Sequence, residues 1–196
     1  MTKMPVYIVD IIGECVKRTN DVIIDQLHAM NTSIDQINYQ YGHMLELTET
    51  LNQWDKTGQG NLKYPLVWLV TDFTEARGAT QDLYATVNLN IVIAHFSNNT
   101  DKAFERKTKV FEPVLYPIYY ELMFQLSKHR LILVQDENQI PHNKTDRYYW
   151  GRVQVGNTLN DYVDAIDIEN LNLKILFKNC NPEPTKSKKL NGFAQT

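Results

Sequence analysis

The stretch from Leu83 to Lys128, LYATVNLNIVIAHFSNNTDKAFERKTKVFEPVLYPIYYELMFQLSK, decides the fold. Its first half alternates, with Ala85, Val87, Leu89, Ile91 and Ile93 on one side and Thr86, Asn88 and Asn90 on the other. That period predicts a strand with a buried face and a wetter face. After SNNTD the period lengthens: Phe111, Leu115, Ile118, Leu122 and Leu126 recur at spacings of three and four, the stripe of a helix lying across a sheet. Pro113 and Pro117 sit inside this stripe and deprive carbonyls 109 and 113 of amide partners. Either the helix is kinked, or a short helix ends near Phe111 and a second begins with Pro113 in its first turn. The kink serves either to fit the helix to a twisted sheet or to shape a subunit interface.

Working outward, Pro5 suits a first helical turn, and Ile8, Ile11, Ile12, Cys15 and Val16 make a short amphipathic helix that ends at Lys17 and Arg18. Residues 20–61 hold apolar positions without a steady period. They predict an irregular excursion with helical turns around Ile34–Tyr39 and Met44–Asn52, long enough to reach a neighbouring subunit. KTGQGN at 56–61 is a break. KYPLVWLVTDF then opens the sheet, and its run Leu66–Val70 predicts a strand covered on both faces. Through the link TEARGATQD, residues 64–73 pair antiparallel with 84–96 as the simplest topology.

Beyond the helix, Leu131–Val134 fits a strand or a helix end, and Gln135–Asp161 reads as loop. From Tyr162 a strand pattern returns, but Ile166 and Ile168 differ in parity from Leu171, Leu173, Ile175 and Phe177. A one-residue bulge near Glu169 and Asn170 restores one buried face. The expected fold class is thus α+β, an antiparallel or mixed sheet packed against a long kinked helix and an N-terminal helix. Residues 1–177 are expected to form one domain and 178–196 a flexible basic tail.

A chain of 196 residues with 43% hydrophobic and 22% charged side chains is an ordinary globular composition. Its apolar runs are too short to span a bilayer and its N-terminus lacks secretory-signal features, so a cytosol-like site of synthesis and no membrane partner are expected. Cys15 and Cys180 stand alone, which favours thiols over a disulfide or zinc. Residues 178–196 hold four lysines against one glutamate, leaving sixteen basic and twenty-two acidic side chains, a net of −6, on residues 1–177. A body of that sign opposes tight binding to a phosphate backbone but permits DNA to slide past.

The nucleotide-binding, zinc-protease and hydrolase signatures are missing, and His28, His43, His95, His129 and His142 are scattered rather than at ligand spacing. No cofactor, resident metal or enzymatic activity is expected. Asp164, Asp167 and Glu169, with Lys174, resemble the acidic strand of a metal-dependent nuclease, because Asp167 and Glu169 would share one strand face. That is the alternative function; the plainer reading is a polar outer face. Arg147, Tyr148, Tyr149 and Trp150 form the most informative loop feature. They suit stacking on bases, which the acidic body opposes, or a protein interface, or, for Trp150, pinning the loop onto the core.

Together, KYPLVWLVTDF, NLNIVIAHFSN, FEPVLYPIYY, IPHNKTDRYYWG and NDYVDAIDIENLNLKI resemble a family of structural proteins from crAss-like and related Bacteroidetes phages, itself similar to the tail-terminator and tail-completion fold. The likeness covers most of residues 5–177. It implies a virion protein of the neck: a homo-oligomeric ring, sixfold or twelvefold, between the portal and adjacent neck or tail proteins, with DNA passing through the lumen unbound. It places subunit contacts at Arg147, Tyr148, Tyr149, Trp150, Asn160 and Asp161, in the excursion and in the tail. A non-virion cytosolic adaptor is the remaining alternative.

Overall fold

The alternation of residues 84–96 becomes the central strand of a mixed sheet. The computed structural model describes residues 7–30, 32–56, 63–77, 84–134, 140–150 and 161–176. In chain order these form α1 (Ile8–Ala29), β1 (Asn38–Gly42), α2 (Met44–Lys56), β2 (Leu66–Arg77) and β3 (Tyr84–Phe96). There follow α3 (Ala103–Arg106), a π-helical segment (Lys107–Leu115), α4 (Tyr116–Lys128), β4 (Ile132–Leu133), β5 (Asn143–Trp150) and β6 (Val163–Leu176). The sheet runs β1, β2, β3, β6, and β4 and β5 lie end to end along the remaining side of β6. β1 is parallel to β2; the other pairings are antiparallel, including β2 with β3 as the short link predicts.

Each face of β3 meets a different layer. Ala85, Val87, Leu89, Ile91 and Ile93 pack with Ile166, Ile168, Leu171 and Leu173 against α1 and the long helix. Val92 and Ala94 look the other way, with Leu66, Trp68, Val70, Val163 and Ala165, onto Leu47 and Leu51 of α2. Helix α2 covers only that end of the second face. Thr86, Asn88 and Asn90 lie beyond it, half-buried or exposed.

The bulge sits where the parity change demands. Leu89 pairs with Leu171 and Ile91 with Ile168, so Asn90 alone stands opposite Glu169 and Asn170. Asn170 takes up the extra residue with a φ of +55°, and its N–H donates to Asn90 Oδ1 at 3.0 Å. Asparagine tolerates that left-handed conformation better than most residues, and the side-chain acceptor satisfies the amide the bulge frees.

The long helix keeps its expected stripe: Phe111, Leu115, Ile118, Leu122 and Leu126 are fully buried. It does not stop near Phe111. Wider π pairing takes up Pro113, with the Tyr116 N–H donating five residues back to the Phe111 carbonyl. Pro117 then follows at the start of α4, where its ring nitrogen has no N–H to donate to the turn before it.

Three expectations are corrected. Helix α1 does not end at Arg18. Thr19, whose hydroxyl donates to the Cys15 carbonyl, continues the stripe to Ile23 and Leu27, so the helix runs to Ala29. No helical turn forms at Ile34–Tyr39; Asn38–Gly42 is instead a strand parallel to Leu66–Val70, so the described part of 20–61 is largely regular structure. Residues 143–150, expected as loop, are strand β5, whose polar sequence suits a position at the sheet margin. Helix α2 extends the expected 44–52 turn to Lys56, and Leu131–Val134 resolves into strand β4. The 177 boundary, the tail, Cys180 and Asn160 lie outside the described residues.

Candidate subunit interface

Strand β5 brings the Arg147–Trp150 cluster to the margin of the sheet and then divides it. The pairing with β6 slips between Arg147, opposite Ala165, and Trp150, opposite Val163. Tyr149 has a φ of +54° at this slip, which sends its neighbours to different surroundings. Arg147 Nε donates to Asp167 Oδ2 at 3.0 Å, and its Nη2 lies 3.6 Å from Glu169 Oε1. Tyr148 packs against Phe111, ring centroids 5.1 Å apart, yet stays 39% exposed. Trp150 is 2% exposed and belongs to the core beneath α2, the pinning role weighed from sequence. Of the four, Tyr148 keeps the most open surface. Asp161 accepts from Lys63 Nζ at 2.8 Å and from the Tyr64 hydroxyl at 3.0 Å, tying the entry of β6 to that of β2.

Beneath β5 lies a buried polar node that the sequence reading missed. Arg106 is fully buried, its Nε donating to the Asp101 carbonyl (2.8 Å) and its Nη2 to the Asn98 carbonyl (2.6 Å). Its Nη1 donates to Ser97 Oγ and to Asp164 Oδ1, both at 2.6 Å. The Tyr149 ring lies 3.6 Å from the guanidinium carbon, its N–H donates to Asp164 Oδ1 at 3.0 Å, and its hydroxyl donates to the Asp101 carbonyl at 3.3 Å. One planar cation thus joins the end of β3, the start of the helix, β5 and β6. The available signal was Arg106 standing four residues before Val110 and eight before Val114, a charge on an apolar row. His95 is the register partner of Asp164, and burial pushes its pKa down to about 4, keeping the ring neutral.

The acidic trio does not converge. Asp164 shares the parity of Ile166 and Ile168 and meets Arg106 on the helix side, whereas Asp167 shares that of Val163 and Ala165 on the α2 side. Two carboxylates on opposite faces cannot bind one ion, so Asp164 does not join Asp167 and Glu169. Among the described residues no group of three His, Cys, Asp or Glu is placed to hold a metal. Asp167 and Glu169 do share a face, since Arg147 reaches both. Burial raises the Asp167 pKa, and the Arg147 contact opposes the shift. Asp167 lines a cleft of about 370 Å³ beside Met44, Trp150 and the bulge.

A larger groove of about 650 Å³ runs between α4 and residues 140–142, which lead into β5. His142 Nδ1 lies 2.7 Å from the Ile140 carbonyl, which can only accept; Nδ1 therefore carries the proton, and Nε2 accepts from the Tyr119 hydroxyl at 2.6 Å. This pair fixes one wall. The other is the exposed row of Tyr120 and Phe124 on α4.

Fold and site define an α+β protein with a mixed sheet, helices on both faces and aromatic surface along one margin. No family model matches the chain, and no curated protein and no solved structure matches it. No helix among the described residues is long and apolar enough to cross a membrane.

Proposed function

We propose that the chain is a structural subunit of a ring in the neck of a tailed phage, tail-terminator-like in fold, joining the portal to adjacent neck or tail proteins while DNA passes through the lumen. The observation that carries this reading is the state of the sheet margins. Among the described residues, β1 and β5 have no strand partner on their outer sides, and exposed Tyr41 and Tyr148 stand on them. Such margins invite contact with further chains. The acidic body supports a lumen along which DNA slides. The nuclease reading is weakened because Arg106 and Arg147 hold its carboxylates on opposite faces. Mass spectrometry of purified particles, followed by imaging of the head-to-tail junction, tests the proposal. The chain is expected in stoichiometric amounts at the junction. Absence from particles, with a partner captured from infected cells instead, would establish the adaptor reading.

A further inference from the structure

The molecule carries two unlike exposed surfaces at opposite margins of the sheet. On the β5 side, Tyr120, Phe124 and Lys128 follow one another at four-residue spacing along α4, with Lys128 Nζ 5.5 Å from the Phe124 ring. Tyr120 is 66% and Phe124 52% exposed, and both line the 650 Å³ groove that His142 closes on its far wall. This surface is aromatic with a basic rim, and Arg130 is exposed just beyond it. At the opposite margin, where β1 turns into α2, Leu45 is 65% and Tyr41 55% exposed. Leu45 and Glu49 form a four-residue row on α2, and Glu46 beside them accepts from the His43 N–H at 2.9 Å, which holds the corner. This surface is apolar with an acidic rim.

The geometry points to a head-to-tail contact in which the β1–α2 corner of one copy, led by Leu45 and Glu49, seats in the α4 groove of the next, between Phe124 and Lys128 on one side and His142 on the other. It rests on the ring reading for the identity of the occupant, a second copy of this chain, and specifies the two surfaces that meet. Charge selects the orientation: groove on groove would oppose lysines and corner on corner would oppose glutamates, while groove on corner joins opposite signs around an apolar centre. Because the corner lies at the β1 margin under α2 and the groove at the β5 margin under α4, engaging one leaves the other open to a third copy. Contacts between unlike patches generate rings or filaments rather than closed dimers. The four-residue rows on both helices are the ridges that interdigitate when helices pack.

Full-length wild type, Phe124→Asp and Leu45→Asp are compared by sedimentation and native mass spectrometry over rising concentration, after thermal melts show that each variant stays folded; both positions are exposed. Wild type is expected to assemble, and each variant to dissociate at least about 30-fold more readily, the loss of one central apolar anchor. The deciding sample is an equal mixture of the two variants. It retains one intact groove and one intact corner, so heterodimers and nothing larger are expected. If Phe124→Asp abolishes assembly while Leu45→Asp does not, or if neither matters, or if wild type stays monomeric, the contact is wrong. The ring reading is decided separately, by whether particles contain the chain.

Discussion

Replacing Arg106 with alanine removes the cation that closes the polar node, and the structure sets the size of the effect. The guanidinium donates at 2.6–2.8 Å to two carbonyls, a hydroxyl and a carboxylate, all at a fully buried position. Truncation leaves the fully buried Asp164 with the Tyr149 N–H as its one remaining donor among the described residues. Leaving one member of a buried ion pair uncompensated costs roughly 3–5 kcal/mol, against a total stability of about 5–15 kcal/mol. For a chain of this size that corresponds to a fall in Tm of roughly 6–20 °C. Arg106→Lys should recover little, because an ammonium cannot reach four acceptors arranged around a planar fork. The double variant Arg106→Met with Asp164→Leu is expected to be clearly more stable than the sum of its single variants, since both charges leave together. Urea unfolding of wild type, Arg106→Ala, Arg106→Lys, Arg106→Met, Asp164→Leu and the double variant measures this. A loss below about 1 kcal/mol for Arg106→Ala, or strict additivity in the double variant, would refute the claim that the pair holds the helix start to β6.

Other consequences are as direct. His95 has a pKa lowered to about 4 in the fold, so the unfolded chain binds the extra proton first; stability should fall as pH drops from about 6.5 to about 4, by roughly 3 kcal/mol. His95→Leu should flatten that slope in urea titrations at pH 4.5 and 7, and an unchanged slope would assign it to other groups. Asn170→Ala places a Cβ-constrained residue at a φ of +55° and should cost about 1 kcal/mol, whereas Asn170→Gly should cost less. Equal losses would show that the Asn88 contact with Asn170, not the backbone, sets the preference. Supercoiled plasmid with magnesium or manganese should survive incubation with the chain. Cleavage that disappears in Asp167→Asn would restore the nuclease reading.

What was legible follows from what each pattern encodes. The β3 alternation, the helical stripe and the β6 bulge are decided by burial, and burial writes a period into the sequence. Phe111 through Leu126 and Ile166 through Ile175 could therefore be placed without coordinates. Helix α1 runs past the end its hydropathy pattern marks because Thr19 occupies a buried slot: its hydroxyl is satisfied by the Cys15 carbonyl, a bond invisible to such a pattern. The π segment was half legible; the prolines announced a disturbance, and only the coordinates show it taken up by wider pairing. The polar node was missed because its members are scattered from Ser97 to Asp164 and converge only once β3 and β6 pair. Arg147–Trp150 was recognised as a unit but not as a strand, and the turn at Tyr149 separates what the sequence runs together.

The two strands that escaped the sequence reading, β1 and β5, both lie at margins of the sheet. NYQYG and NKTDRYYW lack the apolar alternation of β3 because, among the described residues, each has its ladder on one side only and most of its side chains are half-buried rather than core. Their illegibility and the proposed assembly role share that physical origin. A margin that must stay soluble before assembly cannot be lined with Val and Ile. It carries tyrosine, asparagine and paired charges instead, and these bury well against a partner while tolerating water in its absence. Tyr41 and Tyr148 fit that compromise, each with a phenol edge in solvent and a ring packed on a neighbour, Tyr39 for one and Phe111 for the other. On the proposed reading, the residues hardest to assign to a secondary structure are thus those first to be tested for contact between copies.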